Sequence, residues 1–371
     1  MNRNAYAFFD DSSPGRIPQE RPDAVKHASL VTPPHILTMG PAVYLALLGI
    51  VLGLILTTAF PVRAAELRIS KQYGINYLPL IVAEQQKSIE KKAGEAGIRD
   101  LKVQWVTLGG GAAANDALLS GSVDLIALGV PPFIRLWEKT GGKAKALAAF
   151  ADFPPVLNSN NPAVKSIRDF TDKDRIALPA VKVSLQSLIL QMAAAEEFGI
   201  ENYEKYDNIT VTAKHPDALI ALVSRKSEIT AHFTQDPFAF EELKHPGIHT
   251  VLDGYDVLKG RFTSQVLAGT EDFYTKNRVL ADIVALALKE AVNWIEGNKE
   301  EAAKLYIASA KSKESVADLV AIINNPRVGY SSTPLKTMVF ADFLYAVKAV
   351  KTKPSTWKDL FFPVVHAEQG S

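Results

Sequence analysis

The sequence predicts an α/β fold of two lobes, each a mainly parallel sheet flanked by helices, with two crossings of the chain between them. Three observations predict it. From Glu66 onward, short β-rich runs alternate with amphipathic helical patterns, the signature of parallel strands with helices on their faces. A turn-rich stretch, "NSNNPAVKS", separates two such series. After the second series no comparable β-rich set follows, so the last portion folds back on the first lobe, giving crossings near residues 155–158 and 262–267. Two crossings make a hinge, and the cleft beside a hinge is a preferred place for a small ligand.

The elements follow in order. The strand "LRISKQ" opens lobe one, and in "YLPLIVAEQQKSIEKKAG" Leu78, Ile81, Val82 and Gln85 recur at helical spacing, with Gly94 as the expected stop. Next come the strand "LKVQWVTL", a short helix from Ala112 to Leu119 closed by Gly121, and the strand "VDLIAL". The helix "PPFIRLWEKTGG" is begun by Pro and stopped by Gly, and "KALAAFA" is a strand. Lobe two reads as strand "RIALPAV", helix "SLQSLILQMAAAEEFG", strand "NITVTA", helix "HPDALIALVSRKS" and strand "EITAHFT". "GIHTVLD" and "GRFTSQVLAGTEDFYTKN" then lead into the long helix "RVLADIVALALKEAVNWIEGN" and further C-terminal helices.

The 371 residues are 47% hydrophobic with a formal net charge of +1, enough for two lobes and without the basic field that nucleic acid requires. Residues 39–66 carry no charge until Arg63. This apolar run of about 20 residues reads as an export signal, with Val62, Arg63 and Ala64 fitting a cleavage site; a retained membrane anchor is the alternative. No cysteine occurs, so disulfides, thiolate metal sites and a lipid-modified cysteine are all excluded. The expected division is 1–64 as N-terminal extension and signal peptide, 65–155 as the first part of lobe one, 156–262 as lobe two and 263–371 as the return. A soluble periplasmic product is the simplest reading.

Three consecutive glycines, Gly109 to Gly111, follow a strand and open a helix. With Ala114 they satisfy G-x-G-x-x-A, but the next strand, "VDLIAL", ends without the acidic residue that would bind a ribose, and no Lys-Ser or Lys-Thr pair comes directly after the glycines as a phosphate loop requires. Nucleotide binding is disfavoured. Two readings stay open: the N–H groups of Gly110, Gly111 and Ala112 cradle a small anion at a helix N-terminus, or the triplet is a flexible loop. Other strand ends supply similar groups: Gln72 and Tyr73, Gly129 with Val130 and Pro131, Val183 and Ser184, and Thr234 with Gln235 and Asp236. Ligands bind outside the carboxyl ends of strands in open α/β sheets, so these segments can converge on one cleft.

The segments "LRISKQYG", "GGGAAANDALLSGSVDLIALGVPP", "KDRIALPAVKVSLQS" and "SEITAHFTQDPF" resemble those of the periplasmic substrate-binding proteins of ABC importers for nitrate, taurine and aliphatic sulfonates. The resemblance covers residues 67 to about 344. It implies a two-lobed periplasmic-binding-protein fold of type II-like form. It also implies capture of a small anionic or zwitterionic solute for a membrane permease, with no bond chemistry. By position, Gln72, Tyr73, Gly110, Gly111, Ala112, Val130, Pro131, Ser184 and Thr234 with its neighbours would line the cleft. Asp236 departs from the pattern, since a carboxylate repels a bound anion. Either the ligand carries a cation as well, or Asp236 caps the following segment. The chain is expected to be a monomer without cofactor or metal.

Other chemistries find little support. His245 and His249 are separated by Pro246 and Gly247, so they cannot share a helix face and read as surface loop. His232 reads as a packed strand residue and His215 as a helix-start neighbour of Pro216 and Asp217. Trp105 is expected to be buried. No Ser sits in G-x-S-x-G. An enzyme on the same scaffold acting on a pyrimidine-like precursor and a membrane-tethered sensor remain as alternatives.

Overall fold

The structure, a computed structural model, describes Gly40 and residues 65–371. The export segment and its cleavage site lie outside the described residues. Among the described residues no helix is long and apolar enough to cross a membrane. Lobe one opens with β1 (Glu66–Lys71), α1 (Leu78–Gln85), α2 (Ser88–Glu95), β2 (Lys102–Thr107), α3 (Gly111–Leu119), β3 (Leu125–Gly129), α4 (Val130–Lys139) and β4 (Ala144–Ala151). Lobe two holds β5 (Val156–Ser159), β6 (Ile176–Leu178), α5 (Leu185–Phe198), β7 (Thr210–Thr212), α6 (His215–Ser224), β8 (Ala231–Thr234), α7 (Phe238–Leu243), β9 (His249–Asp253) and the single turn α8 (Gly254–Val257). The chain returns as β10 (Gln265–Thr270), α9 (Glu271–Lys276), α10 (Arg278–Gly297), α11 (Lys299–Ala310), α12 (Val316–Ile323) and α13 (Thr337–Ala346).

The two five-stranded sheets have the same order, β2-β1-β3-β10-β4 and β7-β6-β8-β5-β9. In each, four strands run one way and the strand that has just crossed runs the other: β10 is antiparallel to β3 and β4, and β5 to β8 and β9. β3, central in its sheet, is apolar throughout. β3 is buried along its whole length, as a strand covered on both faces must be. Helices α10 and α11 pack on α1, and α10 also covers β4, so the C-terminal helices close lobe one. One apolar cluster runs without a break from Leu128, Val130 and Phe133 in lobe one to Leu185, Leu188 and Ile189 in lobe two.

Several expectations are corrected. The first helical pattern is two helices, because Lys87 takes a left-handed conformation (φ 52°) between them. Gly94 lies inside α2, and the turn falls at Gly97 (φ 83°). β5 occupies Val156–Ser159, reaching into the stretch read as a boundary, and β10 occupies what was read as passage. Trp105 is only half-buried, since β2 is an edge strand, and the Lys71 ammonium lies 5.7 Å from its ring centre. His249 opens β9 instead of a loop.

Candidate functional site

The residues that follow five parallel strands meet at one cleft between the lobes. Lobe one contributes Gln72 after β1 and Gly129 at the end of β3, together with Gly111, Tyr77 and Gln265. Lobe two contributes Pro179 after β6, His215 after β7, Gln235 after β8, and Ser184 and Gln186 at the start of α5. This is the carboxyl-end placement that open α/β sheets give to a ligand.

Two helix N-termini face this cleft. α3 begins at Gly111, and among the described residues the N–H groups of Gly110, Gly111 and Ala112 donate to no backbone acceptor. α5 is capped by Ser184, whose Oγ accepts from the Ser187 N–H at 3.2 Å. Both ends present partial positive charge, so an anion between them is favoured. α4 offers nothing comparable, because the Val130 N–H donates to the Ser264 carbonyl at 3.3 Å and Pro131 and Pro132 have no N–H.

The side chains of the cleft are neutral amides and hydroxyls, with His215 beside them and no Lys, Arg, Asp or Glu in the lining. The amides are already oriented. Gln72 Nε2 donates to the Ala127 carbonyl at 2.9 Å, and Gln235 Nε2 donates to the Tyr73 carbonyl at 2.8 Å while its Oε1 accepts from Asn76 at 3.2 Å. Gln265 Oε1 accepts from the Tyr77 hydroxyl at 2.8 Å. Their remaining polar atoms are therefore held in place before any ligand arrives, which lowers the ordering cost of binding.

The lobes are closed on each other, and glycine makes this possible. A Cβ at Gly110 would stand 3.2 Å from the Pro179 carbonyl oxygen, one at Gly109 3.3 Å from the Lys214 side chain, and one at Gly129 3.1 Å from Leu185 Cβ. The inner cleft measures about 20 Å³, room for a single water-sized guest. Beside it opens a groove of about 880 Å³, lined by Lys71, Tyr73 and Tyr306 of lobe one and Leu219, Ile220 and Phe238 of lobe two; Gln72 belongs to both. Lys71 is neutralised there by an ion pair with Glu84. Among the described residues no cluster of His, Asp or Glu is arranged to hold a metal ion.

No protein-family model matches the chain, and no curated protein matches it by sequence. Solved structures do match. The alkanesulfonate-binding protein SsuA from Xanthomonas axonopodis pv. citri, bound to MOPS, superposes with a TM-score of 0.61 at 18% identity, covering 83% of this chain and 99% of that one. The periplasmic aliphatic sulphonate binding protein SsuA from Escherichia coli gives 0.59 at 18% identity, covering 81% and 99%. The periplasmic nitrate-binding protein NrtA from Synechocystis gives 0.60 at 15% identity, covering 82% and 86%. The chain has the periplasmic-binding-protein fold.

Within this binding-protein fold the expected site residues separate into two sets. Gln72, Gly111, Ser184 and Gln235 line the inner cleft. Tyr73 lines only the outer groove, and Gly110 is covered by Pro179. Ala112 stands behind Gly111 at the helix start and reaches the cleft by no side chain. Val130 and Pro131 are buried, and their neighbours Gly129 and Pro132 take the lining positions. Val183 belongs to the turn before Ser184, its N–H donating to the Ala180 carbonyl at 3.3 Å. Thr234 is wholly enclosed in β8. Asp236 also stands off the inner lining, and burial pushes its carboxyl up to about 6.

Sequence reasoning missed Gln186, His215 and Gln265. His215 and Gln186 were within reach of the same rule that found the others, since each stands at a helix start after a strand of lobe two. Gln265 was hidden by the missed strand β10.

Proposed function

We propose that the protein captures a small anionic or zwitterionic solute between its lobes and presents it to the membrane permease of an ABC importer, performing no bond chemistry itself. One observation carries this reading: the N-termini of α3 and α5, from opposite lobes, meet at a cleft whose side chains are neutral hydrogen-bonding groups. A neutral lining with helix N-termini suits an oxyanion, which gains charge stabilisation without a competing salt bridge. The named structural neighbours are binding proteins for alkanesulfonates and nitrate, which supports the same ligand class. The apolar, uncleaved or cleaved N-terminal run supports a periplasmic location, and an N-terminus starting at Ala65 in the recovered protein would separate an exported monomer from a membrane-tethered sensor.

The test is a thermal-shift screen with nitrate, sulfate, bicarbonate, taurine, alkyl and aryl sulfonates, aromatic carboxylates and aminopyrimidines. A ligand present at 100 times its dissociation constant stabilises the fold by about 2.7 kcal/mol. A shift confined to oxyanions supports the reading. A shift with aminopyrimidines alone transfers the weight to a heterocycle-binding or enzymatic role.

A further inference from the structure

His215 is the visible end of a buried chain of hydrogen bonds. Its Nδ1 lies 2.8 Å from His232 Nε2, and His232 Nδ1 lies 2.5 Å from Glu242 Oε1. Glu242 and His232 are wholly buried and His215 is nearly so. The far end is fixed as well: Asn158 Nδ2 donates to Glu242 Oε2 at 2.9 Å, and Thr250 donates to Asn158 Oδ1 at 2.8 Å. At the cleft end, Gln186 Nε2 lies 3.3 Å from His215 Nε2.

Each bond dictates the next. With Glu242 ionised and both imidazoles neutral, His232 must donate from Nδ1, so its Nε2 is a lone pair that accepts the Nδ1–H of His215. His215 Nε2 is then a lone pair facing Gln186 and the cleft. This state carries one buried negative charge and turns an acceptor toward the place where two helix N-termini invite an anion. One added proton reverses the bond between the two imidazoles and the cleft-facing nitrogen of His215, while His232 Nδ1 goes on donating to Glu242. Water delivers it to His215 Nε2, the Nδ1 proton passes to His232 Nε2, and His232 becomes an imidazolium paired with Glu242, while His215 now donates from Nε2.

We propose that Glu242, His232 and His215 form a proton relay that turns the cleft face of His215 from acceptor to donor, so that a simple anion binds with uptake of one proton. The inference rests on the reading of the cleft as an anion site. His215 is a ligand-facing residue, and His232 and Glu242 are positioning residues that act through it. Burial, with His232 adding to it, holds His215 well below the usual imidazole range, which places the added charge on His232 beside its carboxylate. The other groups around the relay are few. Asp236, ahead of α7, is the ionisable neighbour of Glu242; α5 contributes Gln186, β5 Asn158 and β9 Thr250; Phe238 stacks on His215; and Lys214 extends along Gly109. β6 brings no ionisable side chain.

The test uses the full chain labelled with nitrogen-15 at histidine, followed by long-range proton–nitrogen spectra from about pH 5 to about pH 9, a window centred near the ordinary histidine range. His215→Gln and His232→Gln assign the signals. The expected result, in protein without ligand, is that His215 Nε2 changes from lone-pair to N–H character as pH falls, in step with His232, and that Glu242→Gln removes the change while the fold persists. Nitrate or methanesulfonate should move the transition to higher pH. Calorimetry in two buffers of different ionisation heat should then read close to one proton taken up per anion, with affinity falling about tenfold per pH unit above the transition. A His215 tautomer that stays fixed across the range, or an anion bound with no proton uptake, overturns the relay. The relay's tautomer change is read without ligand, so it can stand where no anion binds, in which case the reading of the cleft fails instead.

Discussion

Gly129 of lobe one and Leu185 of lobe two meet so closely that a Cβ on the glycine would stand 3.1 Å from the leucine Cβ. Gly129→Val therefore wedges the lobes apart at the floor of the cleft, with Pro132 and the Ser264 carbonyl oxygen as the next neighbours at 3.7 Å. We expect ligand affinity to fall at least tenfold and the radius of gyration with ligand to stay at its ligand-free value, because closure is driven only by contacts made in the closed state. Small-angle scattering with and without ligand reads this directly. Normal closure in the variant would sink the argument.

Ser184 has two roles that substitutions can separate. Ser184→Ala removes the N-cap of α5 and should lower stability by about 1 kcal/mol. Ser184→Asp keeps a capping oxygen but sets a carboxylate into the cleft lining, so stability should hold while anion affinity collapses. Equal binding by the aspartate variant and the parent would place the ligand elsewhere.

Asp236 makes a prediction in pH. Its carboxyl is pushed up to about 6 by burial, with Glu242 adding to the effect and the Phe240 N–H opposing it, against about 3.9 in an unfolded chain. Between those values the folded protein holds more protons than the unfolded one, so stability falls as pH rises from about 4 to about 6 and stays reduced above. Asp236→Asn keeps an oxygen for the Phe240 N–H and removes the cost. Urea melts should show the variant more stable at pH 7 by about 1–3 kcal/mol and equal to the parent at pH 4. Ligand profiles should not change, since Asp236 stands off the lining.

Gly111 is constrained from within its own lobe. A Cβ there would meet Pro132 at 2.6 Å. Gly111→Ala should therefore lose about 1–3 kcal/mol of stability through overpacking, visible as a lower melting temperature before any ligand is added. A variant that melts like the parent yet binds poorly would assign this glycine to the ligand alone.

Much of this architecture can be read from the chain before folding. The helices with strong stops, such as α5 before Gly199 and α4 before Gly141, and the apolar strands β3 and β4 announce themselves by period and punctuation. β5 and β10 do not. Val156–Ser159 ends in Asn and Ser, ordinary turn residues, yet Asn158 and Ser159 are wholly buried because tertiary partners satisfy them, the Glu242 carboxylate for Asn158 and the Thr230 carbonyl for Ser159. Such pairing joins residues far apart in sequence, and a local pattern cannot express it. The same limit applied to the cleft. Strand ends pointed to Gln72, Gly111, Ser184 and Gln235, whereas the burial of Val130 under its own lobe and the link from His215 to Glu242 are tertiary facts.

The position of β10 bears on how the polypeptide acquires its shape. Lobe one cannot close its sheet with the residues that start it, since β3 and β4 never pair with each other and each waits for the strand that arrives after all of lobe two. A nascent or newly translocated chain thus carries two apolar strands with bare hydrogen-bonding edges until residues 265–270 emerge, a state open to aggregation and to chaperone capture. Lobe one is thus held to a late event, whereas the sheet of lobe two is complete by Asp253, so a chain truncated before β10 would keep the strands of one half and leave the other unfinished.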